Sequence, residues 1–331
     1  MKRSSVLTAA ATLAASALVL AACGNGDGGD DGGDDGGAQE SYSIGITQIV
    51  SHPSLDAARD GFKQALADAG LDVEFDEQNA QGDQATATSI ATTFANGDHD
   101  LILAIATPTA QATAQAITDV PILITAVTDP LEAGLVDSWE APGGNLTGTS
   151  DLNPVEEQLG LLADLAPDAQ TLGIVYSSGE VNSEIQVELA REAAAGLGLE
   201  VEVATVTNSG EVQQAADSLD VDAFYVPTDN TVVSALESIL QVAESRSIPV
   251  IAAEGDSVER GAVATYGLDY TQLGYQTGEM AVQILTEGAD PAEMPIETQT
   301  ELSLVINTAA AARMGVEIPA ELIDSADTVF E

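Results

Sequence analysis

Polar residues able to hold a small ligand recur in one kind of place: short turns that directly follow apolar, β-branched runs. They are Ser51-His52-Pro53-Ser54, Thr107-Pro108-Thr109, Thr128-Asp129-Pro130, Thr149-Ser150-Asp151, Glu180-Val181-Asn182-Ser183, Asp229-Asn230 and Glu254. Capping accounts for about half of them, because Ser, Thr, Asp and Asn are preferred helix caps and Pro suits the first helical turn. It leaves unexplained why Glu180, Asp229 and Glu254 gather at strand ends of the same half of the chain. Crowded carboxylates raise one another's pKa unless a cation joins them, so an ammonium group is the expected ligand there. No Lys or Arg occupies these turns, so phosphate, sulfate or a dicarboxylate lacks its bidentate partner. A single carboxylate can still be held by the hydroxyls of Ser51, Thr107 or Thr128 together with helix-terminal N–H groups. Ammonium at one end and carboxylate at the other describe an α-amino acid.

Catalysis is disfavoured by the same residues. His52 is the only histidine near these turns and reads either as a ligand contact or as a helix-start residue; His99, in Gly97-Asp98-His99-Asp100, reads as a loop residue. With two histidines and one cysteine, Cys23, the chain has no material for a multi-histidine or cysteine-rich metal site, an internal disulfide or a CxxC redox pair. It contains no GxSxG elbow, no HExxH, and no GxGxxG or GxxxxGK[ST] nucleotide loop. These absences point to a binding protein that uses no cofactor and no metal. Nucleic acid is excluded as a partner, since 8 Lys+Arg against 54 Asp+Glu give a formal charge of -46 that a phosphate backbone would repel.

The elements that must position these turns alternate along the chain. Strands are expected at 43–49, 72–76, 101–106, 122–127, 172–176, 200–206, 223–226, 250–253 and 262–266, with helices at 54–69, 84–96, 109–117, 155–165, 183–197, 210–218, 231–245 and 271–286. Alternation of this kind is the signature of βαβ units and parallel sheets. The order strand, helix, glycine turn, strand, helix, strand runs from 43 to 106 and again from 172 to 226. Two α/β lobes are therefore expected, with 143–151 as a crossover between them and a tail containing the extended segment 295–306 that completes both. Ligands of open parallel sheets bind beyond the carboxyl ends of the strands, which makes the cleft between lobes the candidate site.

Ahead of the lobes, residues 1–22 read as a leader with Met1-Lys2-Arg3 followed by a short apolar stretch, ending in Leu20-Ala21-Ala22-Cys23. That tetrapeptide resembles a bacterial lipobox, whose cysteine becomes the lipid-modified first residue. Residues 23–41 follow as a tether, almost only Gly and Asp from Gly24 to Gly37, with nothing to bury and charges that extend it. High charge with 4% aromatic residues often means disorder, but 45% hydrophobic residues in organised blocks argue for a folded protein with an acidic coat. Such a coat suits high ionic strength, where screening removes self-repulsion.

The strings Ile49-Val50-Ser51-His52-Pro53-Ser54-Leu55-Asp56, Ala104-Ile105-Ala106-Thr107-Pro108-Thr109-Ala110-Gln111, Ala126-Val127-Thr128-Asp129-Pro130, Gly143-Gly144-Asn145-Leu146-Thr147-Gly148-Thr149-Ser150-Asp151, Glu180-Val181-Asn182-Ser183 and Val226-Pro227-Thr228-Asp229-Asn230 carry a resemblance. Together they resemble the type I periplasmic-binding-protein lipoproteins of ABC importers, in the subgroup that takes tryptophan and other aromatic amino acids. The resemblance implies two Rossmann-like lobes joined by three crossover segments, one lobe from 42–149 plus 268–291 and the other from 150–267 plus 292–331. It also implies a lipid-anchored receptor on the outer face of the cytoplasmic membrane, a monomer by default, delivering its ligand to a membrane permease. The ligand contacts it implies are Ser51, His52, Ala106, Thr107, Thr128, Asp129, Ser150, Asp151, Tyr176, Glu180, Asn182, Ser183, Asp229, Asn230 and Glu254. Tyr176, Tyr225 and Tyr266 are the aromatic residues expected at strand ends, and Trp139 lies outside the turns. Stacking partners for an indole are thus not evident, and a smaller amino acid, a sugar or nucleoside, or a sensory role with the same clamp stays open.

Overall fold

The structure, a computed structural model, describes residues 41–331; the leader, Cys23 and the Gly/Asp stretch lie outside the described residues. Strands β1 (Ser41–Gln48), β2 (Asp72–Asn79), β3 (Leu101–Ile105), β4 (Ile122–Val127) and β5 (Leu146–Ser150) form one sheet, and β6 (Thr171–Ser177), β7 (Glu200–Val206), β8 (Ala223–Val226), β9 (Val250–Ala252) and β10 (Ala264–Gly267) form the core of a second. β11 (Glu297–Thr298) joins the first sheet, and β12 (Ser303–Asn307) and β13 (Thr328–Phe330) join the second. The strand orders are β2-β1-β3-β4-β5-β11 and β7-β6-β8-β9-β10-β12-β13. Each sheet thus repeats the same 2-1-3-4-5 winding, as the repeated sequence order predicts. All pairings are parallel except β10 with β12.

Central strands read as unbroken apolar runs because helices cover both faces: β3 and β4 are buried along their whole length. The helices are α1 (Pro53–Asp68), α2 (Gln84–Phe94), α3 (Thr107–Ala116), α4 (Val155–Leu165), α5 (Val181–Leu197), α6 (Val212–Ser218), α7 (Asn230–Val233), α8 (Leu236–Arg246), α9 (Gly255–Arg260), α10 (Tyr270–Val282), α11 (Thr308–Arg313) and α12 (Ala320–Ser325). Each lobe has its own apolar core, one around Phe62, Phe94 and Leu103, the other around Leu162, Phe224 and Tyr225.

The chain passes between the lobes three times: after β5, between β10 and α10, and between β11 and β12. The last crossing falls later than the expected boundary at residue 291. Segment 294–298 stays on the first lobe because the Thr147 hydroxyl donates to the Met294 carbonyl at 2.8 Å, the Ile296 N–H donates to the Trp139 carbonyl at 2.8 Å, and β11 pairs with β5. The expected crossover at 143–151 is mostly strand. β5 is short and polar, and its register with β4 shifts between Ile124 and Val127. At Gly148, φ is +145° and a Cβ would stand 2.1 Å from the Ile124 carbonyl oxygen, so only glycine fits.

Candidate functional site

The carboxyl ends of both sheets face each other, and the turns beyond them surround a small cavity of about 10 Å³, lined by His52, Leu55, Ala126, Asp151, Thr228, Asn230, Val233, Glu254 and Tyr270. Its walls come from both lobes and from two crossing segments. A wider mouth adjoins it, lined on one side by Ile49, Val50, Gln84 and Pro108 and on the other by Ser177, Gly179, Glu180 and Thr231, with Asn230 shared by both spaces.

Of the helices that open on this cleft, four, α1, α3, α5 and α9, have no side-chain cap. By contrast α2, α7 and α10, which begin with Asp83, Asp229 and Asp269, are capped by those side chains. The first turns at the cleft therefore keep unused N–H groups of the kind that hold carboxylates. Buried side-chain atoms at the same ends also lack partners: His52 Nδ1, Thr107 Oγ1 and Asn182 Oδ1. Buried polar atoms left so in the folded chain mark places where a ligand atom belongs. Ala106 at φ +78° and Ala126 at φ +55° end β3 and β4 in backbone conformations that alanine rarely adopts, and strain of this kind concentrates at binding sites.

Two carboxyl groups face the chamber. Asp151 accepts hydrogen bonds from the Tyr270 hydroxyl at 2.7 Å and from Thr128 Oγ1 at 3.1 Å. Glu254 accepts one from Ser257 Oγ at 3.0 Å, and the Ser54 hydroxyl, which makes no hydrogen bond of good geometry, faces it from the first lobe. Burial pushes Asp151 up to about 6 and Glu254 up to about 7. His52 is pushed the other way, to about 4, by burial and then by Arg260, so its ring is neutral at pH 7. No Lys or Arg lines the chamber.

Asp229 and Glu180 serve a different end from the one their clustering suggests. Asp229 accepts the Val232 N–H at 2.7 Å, the Ser177 N–H at 2.5 Å and the Ser183 hydroxyl at 2.7 Å. Glu180 accepts the N–H groups of Asn230 and Thr231, both at 3.1 Å, and their side chains at 2.6 and 2.8 Å. Both acids thus fix the β8–α7 turn within the second lobe. Burial, with Glu180 beside it, pushes Asp229 up, so the expected mutual repulsion is present and hydrogen bonds answer it.

The remaining candidates divide by geometry. Ser150 accepts the Leu152 N–H and donates to the Thr128 carbonyl, and Asn182 donates to the Thr228 carbonyl, so both hold residues that touch the cleft. Thr107 stands beside mouth-lining Pro108. Three candidates lie apart: Ser51 donates to Asp56 on α1, Asp129 caps the turn at Leu131 and Glu132, and Tyr176 packs on the second core. Tyr225 is fully buried, its hydroxyl on Gln158 Oε1 at 2.8 Å. The aromatic residue of the chamber is Tyr270, which the expected helix start at 271 passed over although it follows a strand in the same way as the other turns.

Fold and site together define a two-lobed protein of the solute-binding class. The chain belongs to the ABC transporter substrate binding protein family, whose family model matches residues 43–330; this is a family of solute-binding proteins, not of enzymes. A tyrosine-binding protein of Clostridioides difficile is 45% identical over 276 residues, which cover 82% of this chain and 80% of that protein. A Streptococcus pneumoniae structure in complex with L-Trp superposes with a TM-score of 0.85 at 37% identity, covering 88% of this chain and 100% of that one. The ligand-free, open structure of a Clostridium difficile substrate-binding protein with adhesive properties superposes less well, with a TM-score of 0.66 at 45% identity over 87% and 99% of the chains. Similarity of shape here runs against similarity of sequence, so the lobes are arranged as in the liganded relative.

Proposed function

We propose that this chain is the lipid-anchored, extracytoplasmic receptor of an ABC importer and that it takes an aromatic L-amino acid into the interlobe cleft, the chamber together with its adjoining mouth. The observation that carries this reading is the lining of the chamber, which has two carboxyl groups and no cationic side chain. Glu254, with one hydrogen bond of its own, is the acceptor for the ammonium, and Asp151 stands across from it. The open first turns of α1 and α3, with Thr107 Oγ1, suit the carboxylate. Leu55, Val233 and Tyr270 offer apolar and aromatic surface to the side chain. Relatives named for tyrosine and found with L-Trp support the aromatic class, and Cys23 after Leu20-Ala21-Ala22 supports the anchor.

A thermal-shift screen against twenty amino acids, common sugars and nucleosides tests the ligand. L-tyrosine or L-tryptophan should raise the melting temperature, because a solute that binds only the closed protein stabilises it by mass action. A shift with a sugar or nucleoside and none with any amino acid overturns the reading. For the anchor, a Cys23→Ser form should appear in the culture fluid while the native chain stays with cells.

A further inference from the structure

Gln186 lies fully buried in α5 and lines neither the chamber nor the mouth. Its side chain nevertheless reaches across the cleft. Oε1 accepts the Thr228 N–H at 3.1 Å, and Nε2 donates to Thr228 Oγ1 and, at 3.4 Å, to Thr128 Oγ1 of the other lobe. The two threonine hydroxyls are themselves 3.4 Å apart, and Thr128 Oγ1 donates to Asp151 at 3.1 Å. Donor and acceptor chemistry fixes the direction: an amide N–H only donates and a carboxylate only accepts. Thr128 spends its single proton on Asp151 and so can only accept from Thr228 and Gln186. Within each lobe the links are short or multiple; across the cleft they are the longest, as suits contacts that must break when the lobes part.

We propose that Gln186 is a positioning residue for lobe closure: its amide starts a one-way hydrogen-bond relay through Thr228 and Thr128 to Asp151 that is complete only when the lobes meet. The proposal rests on the reading of the chamber as the solute site. It assigns closure to a residue that never touches the solute. Closing supplies Gln186 and Thr228 as donors to Thr128 Oγ1, which turns the Thr128 proton onto Asp151 and fixes the wall of the chamber that Tyr270 holds from the other side. Opening leaves Gln186 on Thr228 but frees Thr128 to water, and Asp151 loses a constraint.

The test separates this from a role in holding the Thr228 turn. Gln186→Met keeps the length of the side chain and removes the amide; Gln186→Glu keeps an acceptor for the Thr228 N–H but, when ionised, cannot start the relay. With L-tryptophan and L-tyrosine as probes, both variants should release solute about tenfold faster, the effect of losing one buried hydrogen bond. Gln186→Glu should regain melting temperature relative to Gln186→Met without regaining slow release. A Thr128→Val change should add little to either variant, because both remove the same chain of contacts. Native release rates in Gln186→Met, or additive effects with Thr128→Val, overturn the proposal. Should the native chain bind neither amino acid, the ligand reading falls, and small-angle scattering of the ligand-free proteins decides the relay. Gln186→Met must then have the larger radius of gyration; an equal radius overturns it.

Discussion

At the scale of single residues, burial and partner count decide which carboxylate serves which task. Glu254 and Asp229 are both buried strand-end acids, but Asp229 has donors on both oxygens whereas Glu254 has one. Glu254→Gln should therefore weaken an amino-acid solute by about 2 to 5 kcal/mol, as for truncating one side of a desolvated charge pair, while Asp229→Asn should lower stability and leave the rank order of solutes unchanged; calorimetry and denaturant melts read the two effects. The pH dependence follows from the same groups. Asp151, Glu254 and Asp229 hold protons more tightly folded than unfolded, so the stability they contribute is full below about pH 4 and is lost as pH rises through 6 to 7. His52, lowered by burial, opposes them in the same window, one imidazole against three carboxyls. A bound ammonium holds the chamber acids ionised and removes their loss. The melting shift induced by solute should thus grow from pH 5 to pH 7.5, and a shift independent of pH would contradict this assignment.

At the scale of elements, the placement of His52 and Tyr270 depends on α1 and α10, which start at the chamber and pack backbone against backbone. A Cβ at Gly274 would lie 1.8 Å from the Ala58 carbonyl oxygen, and one at Gly61 would lie 2.0 Å from that of Thr271. Neither neighbour is a side-chain end that can swing away. Gly274→Ala should push α10 off α1, lower stability by about 1 to 3 kcal/mol and weaken solute binding with it; unchanged binding in calorimetry would show that the two helix starts move independently of their packing. The positions of α1, α10 and most strands were legible in the sequence, since apolar runs of period two and 3.6 record which faces are buried, and β4, β7 and β8 run over the expected residues. β5 was not legible because Leu146-Thr147-Gly148-Thr149-Ser150 is short, hydroxyl-rich and bulged. α9, at 6 residues, is too short to show a period. In the site, residue type revealed the strand-end turns, but which acids turn inward to cap and which face the chamber depends on the path of the β8–α7 turn, and no spacing encodes that.

At the scale of the whole molecule, charge is the dominant long-range term. The chain carries 54 Asp+Glu, and each basic residue among the described ones, Arg59, Lys63, Arg191, Arg246, Arg260 and Arg313, is already paired with a carboxylate. These exposed pairs are each worth about 0 to 1 kcal/mol, and they leave most surface acids facing one another. Raising KCl from 0.1 to 1 M shortens the screening length from about 10 Å to about 3 Å, which weakens the few attractions but relieves many more repulsions. The melting temperature should therefore climb with KCl and not with an equal osmolality of sucrose beyond sucrose's own exclusion effect. The chamber behaves differently, because Asp151 and Glu254 lie out of reach of mobile ions in the closed protein. Salt should accordingly stabilise the fold while changing solute affinity far less. A melting temperature flat in KCl would remove the acidic coat as a source of instability, and an affinity that collapses between 0.1 and 1 M would mean that the solute is held by surface charge and not by the buried acids between the lobes.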